Sequence, residues 1–224
     1  MALLPHYKLV VFDLDGTLTS EKSIWEYIHI QLGKWYGYAE DYQRQFLQGK
    51  ISYRQFCELD AHVWKGMRVD QVRDIVRGVS FNPGANELTS LLKQLGLRLT
   101  LVSSGLSLLS EWVQEKYGFD YGVSNQLLHE DGILTGEVEI KVHYDQKAEW
   151  VDTIMDIFQV RRDEIIAIGD STGDMEMFEI AGFSISFNSS SPRLDRIADV
   201  VIKGNDLSQV ITTLPGVRSH KSGD

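Results

Sequence analysis

The strongest constraint on the fold is a repeated pattern: a short, almost wholly apolar run that stops abruptly at an acidic or hydroxyl residue. Lys8–Phe12 (Lys-Leu-Val-Val-Phe) ends at Asp13, Leu97–Val102 ends at Ser103, and Ile165–Gly169 ends at Asp170. Short apolar runs of this kind predict strands buried on both faces, as in a parallel sheet. Phe183–Phe187 and Val200–Ile202 read as two more. Helical patterns separate most of them: Ala85–Leu95 before Gly96, Leu106–Tyr117 before Gly118, and Lys147–Phe158. A Gly just past the last periodic residue is a helix stop. Strand and helix in alternation define βαβ units, and the fold expected is α/β, a doubly wound and mainly parallel sheet.

Two segments interrupt the alternation. From about Thr19 to Phe81 there is no convincing strand and no Pro. Ile24, Ile28, Gln31, Leu32 and Trp35 step at helical spacing, and Ser52-Tyr-Arg-Gln55 is a capping box ahead of Phe56, Val63 and Trp64. Val69, Val72, Val76 and Val79 form a further stripe. About four helices are therefore expected between the first strand and the turn Asn82-Pro83-Gly84, because some sixty residues exceed one βα connection. This divides the chain into a core, residues 1–18 and 82–224, and an inserted helical cap, residues 19–81. Trp25, Trp35, Trp64, Tyr27, Tyr36 and Tyr42 are expected in the cap interior, with one or two at a substrate entrance as the alternative. In the second interruption, Gln126–Val138, Asp131-Gly132 between apolar stretches signals a hairpin. The Arg218–Asp224 tail reads as frayed.

Composition narrows the classes of partner. Of 224 residues, 22 are Lys or Arg and 32 are Asp or Glu, a formal charge of −10. A general nucleic-acid binder needs the opposite balance to release counterions, so no nucleic-acid partner is expected. The single cysteine, Cys57, excludes an intrachain disulfide framework or a multi-Cys metal knuckle and fits a reducing compartment. No apolar run approaches the roughly 18 residues of a membrane helix, and the first residues lack a signal-peptide pattern. A soluble cytoplasmic chain with no membrane partner is the expectation; the sequence carries no reading of oligomeric state.

In an open α/β sheet, ligands bind beyond the carboxyl ends of the strands. The three best strands end there in Asp13, Ser103 and Asp170. Asp13-Leu-Asp15-Gly16-Thr17 puts two carboxylates on one side of an extended backbone, and Gly16 lets the chain turn sharply. Asp170-Ser-Thr-Gly-Asp174 adds two more. Four carboxylates at one sheet edge repel one another, and a hard divalent cation, Mg²⁺ by type, resolves the conflict. Ser103-Ser104-Gly105, between strand and helix, offers hydroxyls and backbone N–H groups to an anion. Lys147, at a helix start where a cation gains nothing from the dipole, would neutralise a phosphate beside Asp170.

Together these residues resemble the haloacid dehalogenase superfamily of phosphotransferases over most of the chain. Asp13-Leu-Asp15-Gly16-Thr17 matches its DxDGT signature, Ser103 its phosphate-binding Ser/Thr, Lys147 its lysine, and Gly169-Asp170-Ser-Thr-Gly-Asp174 its last acidic motif. The helical insertion and the Asp131-Gly132 hairpin are most similar to the phosphoserine phosphatase branch. The resemblance implies a Mg²⁺-dependent phosphatase acting on a small phosphorylated metabolite, phosphoserine or a relative of it. Asp13 would be the nucleophile that forms an aspartyl-phosphate, and Asp15 the general acid and base. Mg²⁺ would be held by Asp13, the Asp15 carbonyl and Asp170, with Asp174 bound directly or through water. Ser103, the Ser104 amide and Lys147 would hold phosphoryl oxygens. The chain departs from that branch in having Gly173 where Asn is common. Lys22, next to Glu21, occupies the place of a substrate-binding glutamate, and no Arg lies between Gln55 and Met67, around Asp60.

Two rivals share some of these features. Gly169-Asp-Ser171-Thr-Gly173 matches the nucleophile elbow of serine hydrolases, with His220 as the only downstream His. A non-enzymatic phosphoacceptor or ligand-binding module would also gather Asp residues and a Lys at a parallel sheet edge. No nucleotide P-loop and no H-E-x-x-H zinc motif is present.

Overall fold

The structure, a computed structural model, describes residues 6–216; the tail at Arg218–Asp224, with His220, lies outside the described residues. Among the described residues, seven strands form one sheet: β1 (Leu9–Phe12), β2 (Arg98–Leu106), β3 (Tyr121–Glu130), β4 (Ile133–Glu139), β5 (Ile165–Gly169), β6 (Phe183–Phe187) and β7 (Val200–Ile202). Their order is β4-β3-β2-β1-β5-β6-β7, and every neighbouring pair is parallel except β3 with β4. The five strands read from the sequence are all present.

Among the described residues, ten α-helices accompany them: α1 (Ile24–Gln31), α2 (Glu40–Leu47), α3 (Tyr53–Val63), α4 (Val69–Val76), α5 (Ala85–Gln94), α6 (Ser107–Tyr117), α7 (Ala148–Phe158), α8 (Met175–Ile180), α9 (Pro192–Ile197) and α10 (Ser208–Thr213). The apolar run of β1 follows from burial on both faces. Val10 and Phe12 join one core with Leu88 and Leu92 of α5 and Leu109 of α6. Leu9 and Val11 join the other with Val151 and Ile154 of α7 and Phe178 of α8. Residues two apart share a face, so each layer takes every second side chain. From β1 the sheet extends one way through β2 and the other way through β5. The crevice at that switch point opens beyond Asp13.

One strand corrects its sequence reading. β2 does not stop at Val102 but continues through Ser103-Ser104-Gly105 to Leu106, with a register shift against β3 after Val102. Helix α6 starts at Ser107 with no side-chain cap. Ser103 therefore lies on extended backbone, not at a helix N-terminus. Small residues make the path possible: a Cβ on Gly105 would sit 2.6 Å from Asp15 Oδ2.

Four helices, α1 to α4, lie between β1 and α5, as expected for a cap insertion. Ser23 caps α1, and Ser52 with Gln55 forms the capping box of α3. Val69, Val72, Val76 and Val79 are all buried. The aromatic expectation holds in part. Trp25 and Trp64 stack at 5.6 Å inside the insertion, whereas Tyr36 is 87 % exposed. Tyr36 and Gly37 leave helical φ/ψ and kink the chain between α1 and α2, which turns that segment outward.

The hairpin forms as read. Asp131 (φ 49) and Gly132 (φ 77) occupy the left-handed region that a two-residue hairpin turn requires. Its strand β4 packs against α3, and Gly66 and Val69 donate backbone N–H groups to the Leu134 and Gly132 carbonyls. The two chain crossings into the insertion pair through a Thr19–Phe81 bridge. The Asn82 amide donates to the Thr17 and Thr19 carbonyls at 2.8 and 2.9 Å.

Candidate active site

The carboxyl ends of β1 and β5 bring Asp13, Asp170 and Asp174 together. A carboxylate oxygen from each lies within 4.8 Å of the others, and all three residues are buried. The backbone permits this approach because two glycines are in place. A Cβ on Gly16 (φ +83) would lie 2.5 Å from Asp170 Oδ2, and one on Gly169 would lie 2.5 Å from Asp174 Cγ. Lys147, immediately before α7, is 2 % exposed. Its ammonium donates to Asp13 Oδ1 at 2.5 Å and to Asp174 Oδ1 at 2.6 Å. It thus bridges those two residues, within the acidic cluster where the sequence reading expected it. Asp170 instead accepts from Lys22 Nζ at 2.6 Å. Asp174 Oδ2 also accepts the backbone N–H groups of Asp170 and Ser171 at 3.0 and 2.9 Å.

Burial dominates the electrostatics. It pushes the Asp13 carboxyl upward, reinforced by the charges of Asp174 and Asp170 and opposed by Lys147. Burial and then Asp174 raise Asp170 against the pull of Lys22. Burial would lower Lys147, but Asp13 and Asp174 overrule it and hold the ammonium above its ordinary range. Asp15 faces Gly105 across the crevice, and burial, then Asp13's charge, lift it to about 7. Its Oδ1 is buried without a hydrogen-bond partner. Even with Asp15 protonated, the carboxylates of Asp13, Asp170 and Asp174 outnumber the ammonium groups of Lys22 and Lys147. The donor set is hard oxygen, so the three clustered carboxylates fit a divalent cation such as Mg²⁺.

A chamber with a cavity volume of about 550 Å³ opens above the cluster, and Asp13, Asp15, Lys147 and Asp170 form its floor. Ser104 and Gly105 reach the chamber wall. Ser103 lies behind them, 1 % exposed, its Oγ accepting the Gly105 N–H at 3.0 Å. The far wall comes from the insertion: Trp25 of α1, Phe46 and Leu47 of α2, and Tyr53 and Phe56 of α3. Tyr144, from the loop before Lys147, completes it. Sequence reasoning singled out only Trp25 of these as a possible wall residue, since Phe46 and Tyr144 fit no helical stripe. The Ser104 carbonyl accepts from Tyr53 Oη at 2.7 Å, Asn125 Nδ2 at 2.9 Å and Trp25 Nε1 at 3.4 Å.

Two departures from the branch pattern resolve differently. Gly173 has a local reason: a Cβ there would sit 2.5 Å from the Tyr144 carbonyl oxygen. Asp60, in the arginine-free stretch between Gln55 and Met67, does not reach the chamber. It is buried inside the insertion, 3.2 Å from His29 Nε2. Ser171, the serine-hydrolase candidate, has its Oγ engaged by the Gly173 N–H and Asp174 rather than by a His.

Fold and site define a hydrolase of the phosphate-transferring α/β type, and the sequence comparison agrees. The profile of the haloacid dehalogenase-like hydrolases matches residues 10–179, and the chain belongs to that family. Within it, the chain falls in the phosphoserine-phosphatase-like branch. It is 29 % identical over 208 residues to a phosphoserine phosphatase of Methanocaldococcus jannaschii, covering 91 % of this chain and 96 % of the relative. It is 30 % identical to that of Idiomarina loihiensis, covering 92 % and 93 %. A solved structure described as a substrate-bound phosphoserine phosphatase complex superposes with a TM-score of 0.81 at 28 % identity, over 93 % of this chain and 99 % of that one. Among the described residues, no helix is long and apolar enough to cross a membrane.

Proposed function

We propose that this chain is a Mg²⁺-dependent phosphomonoesterase acting on a small phosphorylated metabolite through an aspartyl-phosphate. The observation that carries this reading is the buried Asp13–Asp170–Asp174 cluster with Asp15 beside it, one oxygen unpartnered, at the floor of a chamber. Residues 1–18 and 82–224 serve as the catalytic core and residues 19–81 as the cap; the Thr19–Phe81 bridge, where both crossings meet, supports that boundary. Cys57, free and buried, is compatible with the reducing cytoplasm.

Asp13 attacks phosphorus, the bond from phosphorus to the alcohol oxygen breaks, and Asp15 gives its proton to the departing oxygen. The raised pKa of Asp15 suits a group that must begin protonated near neutral pH. Asp15 then takes a proton from water as that water attacks the aspartyl-phosphate, and inorganic phosphate leaves with Asp13 restored. Lys147 keeps Asp13 aimed and neutralises charge on the phosphoryl oxygens, while the Ser104 amide positions them and the buried Ser103 hydroxyl fixes the backbone behind it through the Gly105 N–H. Asp13, the Asp15 carbonyl and Asp170 would hold Mg²⁺. Asp174, with its oxygens already engaged by Lys147 and two backbone amides, would support the ion from behind these ligands. The bound ion would supply charge neutralisation on the transferring phosphoryl group.

The test is hydrolysis of 4-nitrophenyl phosphate with and without Mg²⁺, in the native chain and in Asp13→Asn. Activity without Mg²⁺, or full activity in the variant, would overturn the proposal. Stable phosphorylation of Asp13 without turnover would favour the phosphoacceptor alternative.

A further inference from the structure

We infer that the alcohol portion of the substrate is a flat, uncharged, apolar ring, and not an amino acid. This rests on the phosphatase reading above and concerns what the chamber holds beyond the phosphoryl group. The wall opposite the carboxylates is Trp25, Phe46, Leu47, Tyr53, Phe56 and Tyr144. Phe46 is the centre of the aromatic group. It stacks on Phe56 at 5.2 Å and 17°, meets Tyr144 edge-on at 5.2 Å and 88°, and lies 5.8 Å from Tyr53.

The polar ends of two of these rings are spent elsewhere. The Tyr53 hydroxyl and the Trp25 indole N–H both donate to the Ser104 carbonyl. Gln43, also on the wall, donates its amide to Glu26. The far wall therefore presents mainly ring surface to the chamber. Such surfaces reward a flat apolar guest by area and by offset or edge-on stacking.

The charges exclude a zwitterion. Among the described residues, the chamber wall carries no arginine, and its only carboxylates are Asp13, Asp15 and Asp170 at the floor. An α-carboxylate would find no bidentate partner there. An α-ammonium would find no free acid and would meet Lys22, whose Nζ already lies against Asp170 and the Asn188 carbonyl. An unpaired charge in such a place is costly. Gly173 contributes as well. With no Cβ to collide, the Tyr144 backbone comes close and its ring seats against Phe46.

The experiment compares kcat/KM, with Mg²⁺, for benzyl phosphate, propyl phosphate, O-phosphoserine and phosphocholine. All four release unactivated alcohols, so recognition rather than leaving-group reactivity separates them. Benzyl phosphate is expected to exceed propyl phosphate by about tenfold or more, and the two charged substrates by about 100-fold or more. Phe46→Ala should cut the benzyl-to-propyl ratio by about tenfold, chiefly through KM for benzyl phosphate, and Phe46→Leu by less. Equal or better use of phosphoserine, phosphocholine or propyl phosphate overturns the inference and leaves the phosphatase reading standing. So does a benzyl-to-propyl ratio unmoved in both Phe46 variants. Failure to hydrolyse these four and 4-nitrophenyl phosphate alike overturns both.

Discussion

The floor and the far wall of the chamber are built on opposite principles. The floor is three carboxylates, Asp13, Asp15 and Asp170, with the Lys147 ammonium, gathered at the ends of β1 and β5 and just before α7. The far wall is aromatic and presents no net charge of its own. Charge concentrated at the floor suits phosphoryl chemistry, which is common to any phosphomonoester. Apolar surface on helices of the insertion suits the part of the substrate that varies. A fold that separates the two can change its substrate by altering α2 and α3 while leaving the strand ends intact.

That division is broken or sharpened by five experiments. The largest effect is expected at the floor. Asp13→Asn should lower kcat by on the order of 10³-fold or more. Chelation should be equally damaging, and Mg²⁺ at about a hundredfold over its Kd should raise the melting temperature by roughly 5–10 °C. Retained turnover under either treatment would place the chemistry elsewhere.

Asp60→Ala comes next. It leaves the buried His29 without its 3.2 Å partner, so a stability loss of about 2 kcal/mol is expected, read by urea unfolding. The ratio of benzyl to propyl phosphate use should not move, since Asp60 lies outside the chamber. A changed ratio would redraw the wall. Tyr53→Phe removes a donor to Ser104 and an acceptor for Asn125, and about 1 kcal/mol of stability should go with it. The smallest effect concerns Cys57, whose thiol burial pushes up to about 12. At pH 8 it should resist iodoacetamide in the folded chain and react fully in urea, as mass spectrometry would record.

The same division explains what the sequence made legible. Strands buried on both faces leave apolar runs in the primary structure, so β1 and β5 and the residues that end them could be found by eye. The shift in β2 could not, because Ser103-Ser104-Gly105 has the composition of a turn and only its neighbours keep it extended. Lys147 was recognisable as an odd lysine. Its bridge to Asp13, 134 residues away, follows from topology alone. The aromatic wall was the hardest part. Helical periodicity reports which face is buried, yet α2 carries no fully buried residue. Phe46 is only half-buried there because it borders the cavity, and Tyr144 sits in a loop with no period to read.

The triple acceptor at Ser104 has one consequence for how binding and chemistry communicate. A peptide unit is planar, so a carbonyl cannot turn without carrying the N–H on its other side. The Ser104 carbonyl, held by Tyr53 and Trp25 of the insertion, shares its plane with the Gly105 N–H, which donates to Ser103 Oγ. A shift of α1 or α3 on the aromatic side therefore tilts one rigid plate whose opposite edge sets the Ser103 hydroxyl. Whether a ring is seated above would thus be felt at the phosphoryl site below through a single amide.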